Sequence, residues 1–347
     1  MKVISIANQK GGCGKTTLAV NVAAALSKLG NETLLVDLDP QAHATFALGY
    51  SKESSERKTS YDIFRAHFDD IEIPFEDIVI TKRNKLSFIP ANMMLSAAEI
   101  NLGGVHGAAA IISKTLSKPF FEKYEYVIID SPPSFGFLTL NSMYAADMIV
   151  VPMDLSYFSF NGVTSVYRVT SLLTKETGRS PSIFFVMNIF DQRSNFAKEL
   201  EKEAHKKLGA NLLPTKIRSS VRIREAAKLG KTIFEHDPKS PAALDYYNIT
   251  SEILTAEGMN IDSYVREFSV FAPQAGSVYV LGDFNEWQKT EASRLSKLEN
   301  GEWSGHFSLN KGKYRYKFLV DEEWVRDSQN SEAEVNSFGS IDSVLTV

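Results

Sequence analysis

The stretch KVISIANQKGGCGKTTLAVNVAAAL, residues 2–26, decides the fold of the first part of the chain. A short β-branched run leads into the glycine-rich segment GGCGKTT, and a helical pattern follows, predicted over Thr16 to Leu29. A strand, a glycine-rich loop and a helix in this order are typical of a phosphate-binding loop. The usual loop carries one lysine, but this one has two, Lys10 and Lys15, and Gln9 occupies the position of the first glycine.

The loop predicts a nucleoside triphosphate site. The backbone N–H groups of Gly11, Gly12 and Gly14 can converge on phosphate, because glycine permits a close approach. We expect Lys15 to bridge the β- and γ-phosphates and Thr16 to place its hydroxyl on Mg²⁺. The predicted nucleotide-binding residues of the loop are Gly11, Gly12, Cys13, Gly14, Lys15, Thr16 and Thr17.

The composition of the chain limits the classes of protein to which it can belong. It has 347 residues, of which 44% are hydrophobic and 23% charged, as in ordinary globular proteins of one or two domains. No apolar run approaches the ~20 residues of a membrane span, and no signal peptide precedes the first strand, so we expect a cytoplasmic protein without a membrane partner. The one cysteine, Cys13, excludes an intrachain disulfide; it is either a neutral filler of the loop or a redox brake on phosphate entry.

Acidic residues follow two further apolar runs. LLVDLDPQ puts Asp37 and Asp39 at the end of one predicted strand, and YVIIDSPPS puts Asp130 at the end of another. Ligands of open α/β sheets bind outside the carboxyl ends of the strands, so three carboxylates there suit a hydrated metal and an attacking water. Either Asp37 or Asp39 alone could instead cap the turn that follows it.

The pattern of apolar runs divides the chain in two. Up to residue 258, short apolar runs alternate with helical stretches, including predicted helices from Phe196 to Leu208 and from Ala242 to Glu257, which predicts a P-loop α/β domain with a doubly wound, mainly parallel sheet. Residues 259–265 form a short predicted linker. From residue 266 to residue 347, short strands of alternating polarity separated by turn residues predict a small all-β, immunoglobulin-like sandwich.

The segments KGGCGKTT, LLVDLDPQAHAT and YEYVIIDSPPS resemble the deviant Walker A, A′ and B motifs of the ParA/MinD/Soj ATPases, and the resemblance extends over residues 1–258. It implies an ATPase with ATP and Mg²⁺ as cofactors that forms a homodimer in the ATP state. It also implies that Lys10 reaches the partner's phosphates in trans, as an arginine finger does; otherwise Lys10 is a solvated lysine beside the loop.

The same resemblance assigns the remaining side chains of the site. Asp130 would hold Mg²⁺ through water, Asp39 would orient the attacking water, and Asp37 would support the metal shell. Asn188 matches a position that contacts adenine. The implied catalytic residues are thus Lys10, Lys15 and Asp39, and the implied metal-site residues are Thr16, Asp37 and Asp130.

A basic segment lies between residues 193 and 231. It has eleven Lys or Arg and four Glu, or +7, in a chain whose net charge is −4. In ParA proteins the resembling region forms a sequence-neutral DNA surface, which needs only positioned cations. The predicted DNA contacts are Arg218, Arg222, Arg224 and Lys228, with Lys231 beside them; the alternative is a solvated helix face. For the row of Lys198, Lys202 and Lys206 we favour the solvated helix face.

The C-terminal segments VYVLGDFNEW, GKYRYKFLVDEEWVRD and NSFGSIDSVLTV resemble the glycogen-binding domain of AMP-activated kinase β subunits and isoamylases. The resemblance implies two tryptophan platforms for sugar rings and polar groups beside them. The matching residues are Trp287, Lys317, Trp324, Phe338 and Asp342, the last where asparagine is usual; Trp303 matches a core position. The domain binds an α-glucan or serves as a protein-interaction module.

Together these features predict an ATP-dependent dimerisation switch that positions a cargo on nonspecific DNA, with a ParB-like or cargo protein as activator and a nucleoid-associated location. The alternative is a carbohydrate-sensing adaptor with a regulatory ATPase and no DNA role. A metabolic enzyme of the same superfamily is a third possibility. Nitrogenase-type iron proteins are excluded by the lack of further cysteines, and the tyrosine-rich tail of bacterial tyrosine kinases is missing.

Overall fold

The computed structural model describes residues 1–50, 57–83, 85–102, 107–154, 159–191, 194–256, 263–290, 293–298, 300–310, 312–336 and 339–346. The chain divides into two compact units, Met1–Ile253 and Leu254–Val347. Within the described ranges, no helix combines the length and the apolar character that a membrane crossing requires.

In the described part of the first unit, seven strands form one sheet. Its strands are β1 Lys2–Ile6, β2 Thr33–Asp37, β3 Ile80–Arg83, β4 Leu86–Ile89, β5 Tyr126–Asp130, β6 Met148–Met153 and β7 Ser182–Met187. They lie in the order β3-β4-β2-β5-β1-β6-β7, and every neighbouring pair except β3 with β4 is parallel. This confirms the predicted mainly parallel α/β fold.

Helices connect these strands, as crossover connections between parallel strands require. They are α1 Lys15–Lys28, α2 His43–Ala47, α3 Ser60–Asp69, α4 Leu95–Leu102, α5 Ile111–Leu116, α6 Phe137–Ala145, α7 Ser159–Thr177, α8 Asn195–Leu208, α9 Val221–Lys228, α10 Ile233–His236 and α11 Pro241–Ala256. The three helices predicted from sequence, α1, α8 and α11, each begin one residue earlier than expected, a difference within the ordinary fraying of helix ends.

The central strands are buried on both faces. Every residue of β2 and β6 is buried, as is usual in a parallel sheet covered by helices on each side. In the paired register of β2 and β5, Asp37 lies directly opposite Asp130, and Asp130 also lies opposite Ile6 at the end of β1. The strand that leads into the glycine loop and the strands that end in acids therefore finish side by side.

The antiparallel edge strand β3 was not predicted. Its sequence, ITKR, is four residues long and half charged, so it lacks the apolar run that marked the other strands. Short, charged edge strands are a common protection against pairing with a second chain.

The second unit consists of antiparallel strands in two sheets. These strands are β8 Ser263–Phe271, β9 Val278–Gly282, β10 Ser296–Lys297, β11 Glu302–Asn310, β12 Lys313–Val320, β13 Glu323–Val325, β14 Ala333–Val335 and β15 Ile341–Thr346. One sheet has the order β10-β11-β8. The other has the order β13-β12-β15-β14, and β9 also pairs with β12. The predicted all-β sandwich is confirmed.

The core of the second unit joins residues from both sheets. Phe268 of β8, Val280 of β9 and Phe318 of β12 belong to one buried cluster. Trp303 of β11 is part of it, and its indole N–H donates to the Ala272 carbonyl over 3.0 Å. Because a buried indole needs such an acceptor, Trp303 is a core residue, separate from the other two tryptophans of this unit.

Candidate functional site: a phosphate loop, a basic helix and an aromatic cavity

The glycine loop turns sharply between β1 and α1. Gly12 and Gly14 have φ of +75° and +86°, values that side chains with a Cβ rarely adopt, and Gly14 caps the N-terminus of α1. Lys15 is buried, and its Nζ donates to the carbonyl of Lys10 over 3.0 Å. The loop thus keeps a lysine ammonium inside a turn of backbone N–H groups at a helix N-terminus, an arrangement suited to an anion.

Cys13 lies on the inner side of the loop. Its thiol is buried and contacts the Lys10 carbonyl at 3.2 Å. Burial raises the pKa of the Cys13 thiol, and the nearby Lys15 ammonium only partly offsets this. A thiol held in its neutral form is a poor nucleophile, which favours the filler role over the redox brake.

Asn188, which follows β7, forms a hydrogen bond with the glycine loop. Its side-chain nitrogen donates to the Cys13 carbonyl over 2.8 Å, and a Cβ on Gly14 would lie 2.2 Å from that nitrogen. The next residue, Ile189, has φ of +56° and donates its N–H to the Asn188 side-chain oxygen. A β-branched residue in this region is strained, so the surrounding structure holds Asn188 against the loop at a cost. The predicted adenine contact of Asn188 stays a prediction.

The buried carboxylate of Asp37 is fully engaged within the protein. One oxygen accepts the Asp39 N–H at 3.0 Å, and the other accepts the N–H and the hydroxyl of Thr45 at 2.9 and 2.7 Å. Burial raises the pKa of Asp37 to about 6, although the Thr45 hydrogen bonds lower it. Asp37 therefore anchors the turn between β2 and α2, the alternative that the sequence left open, and its role in a metal shell remains a prediction.

Asp39 leaves part of its carboxylate available. Its Oδ1 accepts the N–H of Gln41 over 2.9 Å, while Oδ2 has no hydrogen-bond partner among the described residues. The side chain is 6% exposed. A nearly buried carboxylate with a free oxygen can accept a proton or a hydrogen bond from a water molecule.

Asp130 is the most unusual group of the site. It is fully buried, and within the described part of the chain neither carboxylate oxygen has a hydrogen-bond partner; the hydroxyl of Ser131 beside it has none either. Burial, followed by the charge of Asp37, raises the pKa of Asp130 well above its usual range; the Thr16 hydroxyl, which is nearby but does not meet the geometry of a hydrogen bond, and the Lys15 charge lower it. Buried polar atoms without partners are rare in native proteins and call for an explanation such as a bound ion.

These features fit a triphosphate with Mg²⁺. The loop offers backbone N–H groups and Lys15 to phosphate, and Asp130 offers two free carboxylate oxygens near the Thr16 hydroxyl. Among the described residues, no three His, Cys, Asp or Glu side chains gather closely enough to hold a metal by themselves. Mg²⁺ needs no such cage, because it keeps several waters and uses one or two carboxylates plus substrate phosphates.

Lys10 is directed to an acid of its own chain. Its Nζ lies 2.6 and 2.5 Å from the two carboxylate oxygens of Asp154, the residue that follows β6. Both side chains are only partly exposed, at 32% and 24%. The extra lysine is therefore held in an ion pair, rather than freely solvated.

The predicted DNA residues differ in how they are bound. Arg218 donates its backbone N–H, Nε and a terminal N–H to the carboxylate of Asp245, at 3.0, 2.8 and 2.9 Å. Asp245 is buried, so this guanidinium is needed to neutralise it. Arg218 is thus a structural clamp as well as a surface cation.

The other cations lie on α9. Arg222 is near two acids, with contacts of 3.1 Å to Glu225 and 3.7 Å to Asp237. Arg224 and Lys228 are exposed, one helical turn apart, and form no ion pair with any described residue. These two residues are the most available for a polyanion.

Two tryptophans of the second unit meet over a cavity of about 590 Å³. The rings of Trp287 and Trp324 have centroids 6.0 Å apart and are tilted by 60°, and Trp324 is 52% exposed. Trp287 has φ of +59°, and its indole N–H donates to Asp283 at 3.0 Å. A tryptophan held in a left-handed conformation with its ring over a cavity has the strain typical of binding sites.

The floor of this aromatic cavity is polar and internally paired. Lys317 Nζ lies 2.9 Å from Asp342 and 2.8 Å from the Ser340 hydroxyl, and Asn336 also donates to Asp342 over 2.9 Å. Lys317 and Asp342 are both buried. The structure thus brings together four of the five predicted glycan residues; the fifth, Phe338, lies outside the described residues.

Several residues of these sites were not predicted. They are Ser131, Asp154, Asp245, Arg315, Asn336 and Ser340. Strand periodicity could have indicated Arg315, which is two residues from Lys317 and lines the same cavity. A strand-end position could have indicated Asp154, which follows the apolar run MIVVPM.

Comparison with known protein families matches both units. Residues 1–183 match the AAA domain family, and residues 270–347 match the glycogen recognition site of AMP-activated protein kinase. The chain is 36% identical to the sporulation initiation inhibitor protein Soj of Bacillus subtilis. This alignment of 253 residues covers 73% of this chain and 98% of Soj. It is 32% identical to the chromosome partitioning protein ParA of Caulobacter vibrioides, over 74% of this chain and 95% of ParA.

Solved structures are similar over a comparable share of the chain. Apo McdA of Cyanothece superposes with a TM-score of 0.64 at 25% identity, covering 73% of this chain and 99% of McdA. Cobyrinic acid a,c-diamide synthase from Mycobacterium smegmatis, bound to an ATP analogue and magnesium, gives 0.63 at 26% identity, covering 74% and 96%.

Proposed function

The chain belongs to the ParA/Soj family of P-loop ATPases, and from that premise we propose that it is an ATP-dependent dimerisation switch that positions a cargo. The observation that carries the proposal is a loop with two lysines, Lys10 and Lys15, together with the buried Asp130 carboxylate, which has no hydrogen-bond partner among the described residues. An ordinary phosphate loop needs only one of these lysines.

In this proposal the loop binds ATP in each protomer. The N–H groups of Gly11, Gly12 and Gly14 hold the phosphates, Lys15 neutralises the β- and γ-phosphates, and Thr17 supports the α-phosphate side at the start of α1. Mg²⁺, held by the Thr16 hydroxyl and through water by Asp130, would neutralise phosphate charge. Magnesium dependence is supported by the nucleotide and magnesium bound to the similar synthase.

Hydrolysis needs a positioned water and positive charge at the γ-phosphate. Asp39, with its free Oδ2, is the residue that orients the water, because the Asp37 and Asp130 carboxylates are committed to the turn and to the metal. Lys10 supplies the positive charge to the partner's phosphates, where negative charge develops in the transition state. Hydrolysis is thereby confined to the dimer.

Helix α9 is the proposed surface for nonspecific DNA. Arg224 and Lys228 carry its free positive charge, and Arg222 adds to it despite its acidic neighbours. Arg218 contributes mainly by fixing the segment before α9 to Asp245. Contacts of this kind go to phosphates, so the binding would be independent of DNA sequence and would place the protein on the nucleoid.

The aromatic cavity of the second unit is the proposed docking site of the cargo. Trp287 and Trp324 offer flat faces to sugar rings, and the paired floor around Lys317 offers donors and acceptors without net charge. An uncharged α-glucan fits these features, so a polysaccharide particle is the cargo that the site favours. A protein activator of the ParB kind would act on the ATPase unit.

A second function is favoured by one specific observation. Because Arg218 is committed to Asp245 and Arg222 has two acidic neighbours, the positive surface is smaller than the sequence suggests. A carbohydrate-sensing adaptor, with the ATPase as a regulatory switch and no DNA, would need no such surface.

Retention of the full chain on nonspecific DNA decides between the two functions. We expect retention with ATP and Mg²⁺, little retention with ADP, and a steep decline as salt rises because phosphate contacts release counterions. Loss of DNA retention in every nucleotide state, together with binding to maltodextrin resin, would favour the adaptor.

A further inference from the structure

Asp154 has no role in the proposed function, yet it holds the lysine that distinguishes this loop. Lys10 donates to both oxygens of the Asp154 carboxylate, at 2.6 and 2.5 Å. The two residues are 144 positions apart in the sequence, so the contact is made by the fold and not by local chain geometry.

Both ends of this ion pair are fixed by buried backbone contacts. Asn8 donates to the Pro152 carbonyl over 2.7 Å, and the Asn188 N–H donates to the Met153 carbonyl over 2.7 Å, so the strand end that carries Asp154 is pinned on two sides. Asn8 also accepts the N–H of Lys10 at 3.1 Å. A preorganised pair loses less side-chain entropy than a pair of free surface side chains.

The pair competes with the role proposed for Lys10. An ammonium that contacts both oxygens of a carboxylate in its own chain is less available to phosphate oxygens in another chain. We propose that Asp154 is a positioning residue that retains Lys10 in the monomer, so that dimerisation must break one Lys10–Asp154 ion pair in each protomer. This inference rests on the proposed function, since it assumes that Lys10 acts in trans.

The consequence is a threshold for assembly. A partly exposed ion pair changes an equilibrium by about two- to fivefold. A symmetric dimer releases two such lysines, so removing the pair should strengthen dimerisation by about four- to 25-fold. Asp154 would thereby raise the protein concentration that dimerisation needs by the same factor.

The test is the dimerisation constant of the full chain with a saturating non-hydrolysable ATP analogue and Mg²⁺, measured by light scattering over a dilution series. Asp154→Asn keeps the shape of the side chain and removes its charge, and it should dimerise about four- to 25-fold more tightly than wild type. Asp77→Asn is the matched control, because Asp77 also pairs with a partly exposed lysine, Lys58, at 2.8 Å, but outside the loop.

A double variant separates this role from a structural one. In a Lys10→Ala background, which we expect to stay monomeric, Asp154→Asn should not restore the dimer, because no lysine remains to be released. An unchanged or weaker dimer in Asp154→Asn alone, with Lys10→Ala impaired as expected, overturns the inference and leaves the proposed function standing. Normal dimerisation of Lys10→Ala overturns both.

Discussion

The phosphate loop and the aromatic cavity present their polar groups in opposite ways. Beside the loop, Asp130 is buried and neither carboxylate oxygen has a hydrogen-bond partner among the described residues, so the site has polar atoms that a ligand must satisfy. In the cavity, Lys317 and Asp342 already satisfy each other, and the rings of Trp287 and the half-exposed Trp324 offer the area for contact. The first site is completed electrostatically by its ligand, whereas the second binds mainly by stacking.

The largest expected effect is on ATP binding at the phosphate loop, the site that its ligand completes electrostatically. Lys15→Ala should weaken ATP binding by on the order of 2–5 kcal/mol, because it removes the buried positive charge beside the phosphates. Calorimetric titration with ATP measures it, and Lys28→Ala, at the other end of α1, serves as the control. Wild-type affinity in Lys15→Ala would show that the loop does not hold phosphate through this lysine.

The next effect separates binding from hydrolysis within the same site. Asp39→Ala should bind ATP normally but lower the hydrolysis rate by about 100-fold or more, because the free carboxylate oxygen that orients the water is lost. Phosphate release under saturating ATP gives the rate. Turnover at the wild-type rate would remove Asp39 from the mechanism.

At the aromatic cavity, where binding depends mainly on stacking, we expect a loss of glucan binding. Trp287→Ala with Trp324→Ala should lose about 2 kcal/mol or more of binding to maltodextrin, while ATPase activity stays unchanged. The fold should survive, since Trp324 is half exposed. Trp303→Ala is the contrasting control: this buried ring should cost about 3–5 kcal/mol of unfolding free energy.

An unfolded double variant would show that the two rings are structural. Full retention on maltodextrin by a folded double variant would show that the cavity is not a glucan site. Thermal unfolding of the full chain, monitored beside the binding assay, separates these two outcomes.

The smallest effect concerns α9. Arg224→Glu with Lys228→Glu should lower the slope of log affinity for nonspecific DNA against log salt by about two, one for each lost phosphate contact. Lys198→Glu with Lys202→Glu on α8, the row expected to be only solvated, is the charge-matched control. Equal losses in both variants would mean that only net charge matters, and no loss in either would end the DNA model.

These variants avoid Arg218 for a structural reason. Replacing it leaves the buried Asp245 carboxylate without its partner, which destabilises a protein by about 3–5 kcal/mol. Lost DNA binding in an Arg218 variant would then report unfolding as much as a lost contact.

The sequence was sufficient to predict the fold, but not to predict which side chains pair with each other within it. Apolar runs ending in acids predicted parallel strands, and because such strands finish at one edge, Asp37 and Asp130 were correctly expected near each other. The edge strand Ile80–Arg83 was not predicted, because four residues, two of them charged, show no hydrophobic periodicity.

Pairings across the fold could not be predicted from the chain. The sequence does not show that Thr45 donates to the Asp37 carboxylate, or that Asp245, 27 residues after Arg218, pairs with its guanidinium. These contacts depend on how helices and loops pack, which no short sequence window contains.

The central claim is that the second loop lysine makes the ATP-bound protein a dimer. Light scattering of the full chain with a non-hydrolysable ATP analogue and Mg²⁺ tests it most directly. We expect wild type to double its mass when the analogue is added, and Lys10→Ala to bind the analogue but remain a monomer. A Lys10→Ala protein that dimerises and, with ATP, hydrolyses as wild type does would contradict the account and leave Lys10 as a lysine that pairs with Asp154 of its own chain.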